Sequence, residues 1–238
     1  MSRFAISINL STCTLRVGLI QAFEGFGGFV KSDNDRAQAY CISLNEIRAR
    51  MDAVRAVCRG GVTFGTAQFD YEVVAINFRK ALELIAFGSL TANRAAYEAA
   101  HKDIQKIWRA KELLERLEKI HRDFFPKPLK QPSITYEQGQ RRLHFDDLVA
   151  GFLTRAEFVT LYDACSQVIH SQNPFSTTSS ISFGHTPLEW AEKITNLLAF
   201  HLFRLSGYPQ VWVGELQRPD GRAHVSIASP QVSTSPSN

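Results

Sequence analysis

"DYEVVAINFRKALELIAFG", residues 70–88, sets the architecture to be expected of the whole chain. Its apolar residues fall on almost every side of a helical wheel, and a helix of that kind belongs at the centre of a bundle rather than on its surface. Gly88 is expected to end it. The charges it carries, Glu72, Arg79 and Glu83, lie within about 40° of one another at 100° per residue. Charge on a buried helix is costly unless paired. Arg79 between two acids therefore reads first as an internal ion network, and second as one wall of a groove facing another helix.

Helical signals continue on both sides of this segment. Ser43 followed by Glu46 has the pattern of a capping box opening "SLNEIRARMDAVRAVCRGG" (43–61), in which Ile47, Met51, Val54 and Cys58 recur at helical steps and Gly60-Gly61 supplies the stop. From Asn93 to Phe125 the residues Tyr97, Ala100, Ile104, Ile107, Trp108, Leu114 and Leu117 keep the period, until Pro126 and Pro128 break it. "PKPLKQPSITYEQGQ" (126–140) reads as an extended or irregular linker. Thr154 with Glu157, and Thr186 with Pro187 and Glu189, open two further helices. The second of these carries Ile194, Leu197, Leu198, Leu202 and Leu205 as its buried stripe.

The ends depart from this pattern. Pro219-Asp220-Gly221 is turn chemistry between two alternating runs, so "QVWVGELQRPDGRAHVSIA" (210–228) reads as a β-hairpin. Phe4, Ile6, Ile8 and Leu10 alternate as in a strand, and the Pro/Ser-rich last ten residues read as disordered. The expected fold is mostly α: an antiparallel helical bundle with a small C-terminal β-hairpin. Its parts are an N-terminal segment (1–40), the bundle (41–206), the hairpin (207–228) and a tail (229–238).

Composition is that of an ordinary globular chain: 238 residues, 45% apolar and 21% charged, with a formal charge of +4. That charge does not mark a dedicated nucleic-acid binder. Cys13, Cys41, Cys58 and Cys165 show no metal-ligand spacing and read as buried reduced thiols; no metal or cofactor is expected. No apolar run reaches a membrane span or a signal peptide, so a cytoplasmic protein is expected.

Chemistry is sought in "LYDACSQVIHSQNPF" (161–175). On the wheel, Phe158, Leu161, Tyr162, Cys165, Val168 and Ile169 form the buried face, while Asp163, Ser166 and His170 share a flank within about 60°. A carboxylate, a hydroxyl and an imidazole on one strip can move protons. The plainer reading, weighed ahead of it, is a solvated flank ending in a His that suits the helix C-terminus. Asn173 and Pro174 add a turn signal.

"INFRKALELIAFGSL", the basic helix ending "RLEKIHRDFFP", and "LYDACSQVIHSQNPF" together resemble the HEPN class of helical bundles over roughly residues 70–205. The resemblance implies a four- to five-helix core, a homodimer, and a role in bacterial defence or toxin–antitoxin systems. Many members resemble RNases using an Arg and a His a few residues apart. Here the Arg is missing before His170. Related spacings at Arg94–His101, Arg116–His121 and Arg218–His224 are about as frequent as chance allows, and Arg94 with His101, on one helical face, is kept. The lysines and arginines between 101 and 122 would suit RNA phosphates, but Glu112, Glu115 and Glu118 interleave them. The function expected is a HEPN-like binding or interaction module with an inactive nuclease-type site and an RNA or protein partner. The alternative is a metal-independent endoribonuclease using His170 or His101, with Arg79 or Arg94 beside it. Glu72, Glu83, Asp163, Ser166 and Asn173 complete the candidate set.

Overall fold

The computed structural model describes residues 4–7, 33–92, 110–120, 124–137, 140–170, 182–204 and 211–230. The chain is mostly α, as expected. Helix α1 (Asp33–Cys58) begins ten residues before the anticipated capping box. Ser43 Oγ donates to the Ala39 carbonyl at 3.2 Å and Glu46 accepts from Arg50, so both side chains serve a helix already running. The stop at the glycine pair is as expected. Gly60 takes a positive φ of 73°, with Gly60 N–H donating to Val57 O and Gly61 N–H to Ala56 O, which closes the helix as a Schellman turn.

Helix α2 (Ala67–Ala92) passes straight through Gly88. A β-carbon there would stand 2.5 Å from Tyr40 Cε2 on α1, so this glycine permits close packing and does not terminate the helix. Val74, Ala75, Phe78, Ala81, Leu82 and Ile85 of α2 are buried with Leu44, Ile47, Met51 and Val54 of α1. One flank of α2 is tied to α1 by Arg50 donating to Asn77 at 3.3 Å. The other flank is tied to a later helix through Arg79. Between the two ties, Phe69, Ile76 and Lys80 face outward.

Of the long helix expected over 93–125, Ala110–Ile120 is α3, and residues 93–109 and 121–123 lie outside the described ones. Its Arg116 pairs with Glu112 at 2.7 Å and its Glu118 with Arg155, giving a salt-bridged surface. The anticipated linker instead carries β2 (Lys127–Pro128), β3 (Ser133–Glu137) and the start of β4 (Gln140–Phe145). Helices α4 (Arg155–Ile169) and α5 (Pro187–Ala199) open on the two expected capping boxes. At the first, Thr154 Oγ1 accepts from Glu157 N–H at 3.2 Å while Glu157 accepts from Thr154 N–H at 2.8 Å. Thr154→Ala should lower stability by about 1 kcal/mol, with Thr154→Ser close to wild type, as read by urea unfolding.

The largest departure follows α5. A helix was expected to continue to Leu205, yet it stops at Ala199 and strand β5 (Phe200–Arg204) begins at the next residue. Burial alternates along β5: His201 and Phe203 point into the helical core, while Phe200 and Leu202 pack on a second cluster of Leu129, Phe145, Val211 and Val213. A residue pattern with two buried faces suits a sheet covered on both sides. Strands β6 (Val211–Glu215) and β7 (His224–Pro230) are antiparallel partners of this hairpin region. Their connection turns at Gly221 (φ 77°), whose N–H donates to Arg218 O at 2.8 Å. β7 reaches into the segment expected to be disordered, pairing Ser229 with Ser7 of β1 (Phe4–Ser7). The hairpin thus belongs to a seven-stranded antiparallel sheet, ordered β2-β5-β6-β7-β1-β4-β3, with the helices packed on it. Among the described residues no helix is long and apolar enough to cross a membrane.

Candidate functional site

Two polar clusters stand out, one expected and one not. The first joins α2 to α4. Arg79 donates through Nε to Glu83 Oε1 at 3.2 Å and through a terminal nitrogen to Ser166 Oγ at 3.1 Å. Its guanidinium carbon also lies 5.0 Å from the Tyr162 ring centroid, a cation–π distance. Ser166 Oγ in turn donates to the Tyr162 carbonyl at 2.8 Å. Tyr162 is buried and stacked on Phe158 at 6°, which fixes the ring beneath the cation. The arrangement is a planar cation held edge-on by acceptors and face-on by an aromatic, a geometry that suits Arg and not Lys.

The other candidates are placed around this cluster. Glu72 accepts from Gln68 at 3.2 Å, and so joins its own helix's surface where an ion network with Arg79 was anticipated. Asp163 is half-buried on α4. His170 is the exposed C-cap of α4, in extended conformation, and its N–H donates to Ser166 O at 3.2 Å. The Ser166 hydroxyl is directed to Tyr162 and Arg79, one helical turn back from the imidazole. Arg94, His101 and Asn173 lie outside the described residues. Cys41 and Cys165 are buried thiols, and burial pushes the Cys165 thiol up to about 12, so it is inert as a nucleophile at neutral pH. Cys58 is exposed at the end of α1, against expectation, although its neighbour Val57 still packs against the core.

The second cluster was not anticipated, because His201 was assigned to a helix. Its imidazole is fully buried. Nδ1 lies 2.9 Å from Leu198 O, and a carbonyl only accepts, so Nδ1 carries the proton. Nε2 is then the acceptor for Tyr40 O–H at 2.7 Å. Burial holds His201 down at about 4, with the Leu198 hydrogen bond opposing, and pushes Tyr40 well up. Both rings stand edge-on to Phe203, at 5.4 and 5.2 Å between centroids. A β-carbon on Gly214 of β6 would overlap the His201 ring, so two glycines, 88 and 214, frame the pair. Hidden from solvent and neutral, the pair joins α1 to β5 and has no access to a substrate. The signal in the sequence was "FHLFR", where alternation places one polar residue among inward-facing aromatics.

Among the described residues no three His, Cys, Asp or Glu side chains converge as a metal site would require. No family model, no curated protein and no solved structure matches this chain.

Proposed function

We propose that this chain is a HEPN-like interaction module, self-associating as a homodimer in the cytoplasm and serving a bacterial defence or toxin–antitoxin assembly without nuclease chemistry of its own. The observation that carries this reading is the engagement of Arg79. Its guanidinium is bound by Glu83, Ser166 and Tyr162, so it acts as a tie between α2 and α4. A phosphate-binding arginine must offer its fork outward for bidentate contact. Here the fork is turned to neighbours, and the Ser166 hydroxyl beside it is spent as well. Helices α1, α2, α4 and α5 share one hydrophobic core, which supports the likeness to a helical bundle, while the seven-stranded sheet is no part of that likeness. On the surface of α3 and the first turn of α4, the basic side chains Arg116 and Arg155 are matched by Glu112 and Glu118 of α3, which weakens any phosphate-binding field there.

The test is incubation of purified protein with labelled total RNA, comparing wild type with His170→Ala and His101→Ala. The expected result is no cleavage by any of the three. Cleavage by wild type that disappears in either variant would replace this reading with the endoribonuclease.

A further inference from the structure

We infer that the outward row of α2 is a self-complementary surface on which a second copy of this chain packs, antiparallel and two-fold about Ile76. This rests on the reading of the chain as a self-associating module and adds where the copies meet. The inner side of α2 faces the core, and its flanks are held by Arg50–Asn77 toward α1 and Arg79–Ser166 toward α4. What remains is a row at three- and four-residue steps: Phe69, Glu72, Ile76 and Lys80. Phe69 is 51% exposed and Ile76 42%, on a helix otherwise rich in buried apolar residues. Large apolar side chains aligned along one helix face mark an interaction site more than scattered ones do.

The order of charges selects the occupant. Glu72 and Lys80 stand four residues to either side of Ile76. A two-fold axis through Ile76 brings Glu72 of each copy opposite Lys80 of the other, adding to the contacts each makes on its own helix, with Gln68 at 3.2 Å and Glu83 at 3.8 Å, and needing no second type of chain. An isologous interface requires this kind of self-complementarity. The same axis sets Phe69 of one copy against the far end of the partner helix. There it stands opposite Glu83, flanked by Leu84 and Phe87, which are half-buried against their own chain's core and offer their remaining apolar surface. A knob received by four residues of the facing helix is how antiparallel helices pack. The turn before α2 lengthens the patch: Phe64, 49% exposed, is anchored there by its N–H donating to Asp70 at 2.6 Å.

Light scattering and sedimentation velocity at micromolar concentration test the surface. The wild-type chain is expected at the mass of two chains, and Ile76→Glu at the mass of one with unchanged circular dichroism. Lys80→Glu should weaken the dimer about tenfold, since it sets Glu72 against a like charge, and Glu72→Lys in the same chain should restore it. Restoration by the double swap supports the two-fold register, because a merely structural role for either residue would not be rescued. A monomeric wild type would overturn both the surface and the self-association it rests on. A dimer indifferent to Ile76→Glu, or a double swap no better than Lys80→Glu, would overturn the surface alone and leave the module reading standing.

Discussion

Gly214→Ala is expected to destabilise the fold by roughly 3–5 kcal/mol, the cost of overpacking together with a broken buried hydrogen bond. The added β-carbon would overlap His201 at Cε1 and Nε2. A ring with freedom to turn would relieve the clash cheaply. His201 is held at both nitrogens, by Leu198 O and Tyr40 O–H, and between them by the edge of Phe203. Moving the imidazole leaves a buried hydroxyl, a buried carbonyl or both without partners. At this chain length each kcal/mol displaces the melting midpoint by about 2–4 °C, so the drop should be on the order of ten degrees or more. A double-mutant cycle isolates the cause. His201→Ala is itself destabilising, but Gly214→Ala added to it should cost little, because the ring that obstructs the new methyl is gone. Equal costs in both backgrounds would show that Gly214 matters for its backbone and not for the room it leaves.

The second large effect is on acid stability. His201 titrates near 6.5 when unfolded and at about 4 in the native protein, because burial penalises its charged form. Between those values the unfolded chain binds a proton that the folded chain refuses, so stability falls as pH is lowered. The contribution is fully present above pH 6.5 and is lost progressively down to about pH 4, in total about 3 kcal/mol. Below that the native state also takes the proton, and the Tyr40 hydrogen bond must then give way. Glu157 acts in a different window: burial works against its ionisation, but Lys193 and the Thr154 cap outweigh it and hold the carboxyl down at about 2. Urea unfolding at a series of pH values should therefore show a slope between 6.5 and 4 that flattens in His201→Gln. An unchanged slope in that variant would assign the acid sensitivity to other groups.

Much of the helical layer was legible in sequence for a definite reason. Thr154/Glu157 and Thr186/Glu189 cap as read because a capping box is a local motif, complete within four residues. The Gly60-Gly61 stop is local in the same sense. Ser43/Glu46 shows the same letters without the same role, since nothing in four residues reveals that a helix has already begun upstream. Gly88 misleads for the opposite reason: its cause is Tyr40, which lies on another helix. The helix-to-strand joint at Ala199–Phe200 was hidden because "LLAFHLFRL" is apolar at both periods, and only pairing with β2 and β6 decides between them. Of the candidate site, Arg79, Glu83 and Ser166 converge across α2 and α4. That contact is tertiary, and a helical wheel can align residues on each helix without bringing the helices together. His201 escaped notice because a buried polar pair is recognisable only once its partner, 161 residues away, is known.

That separation also has a bearing on biosynthesis. A ribosome delivers Tyr40 and Gly88 early, whereas the imidazole that completes the pair emerges 161 residues after Tyr40. At translation speeds of roughly 5–20 residues per second, Tyr40 waits about 8–32 s for its partner, and the first two helices, complete at Ala92, wait about 5–22 s for the same residue. Over that interval the nascent chain is at its most vulnerable to sticking to others, and holding by a chaperone should matter more to the yield of this protein than any step after release.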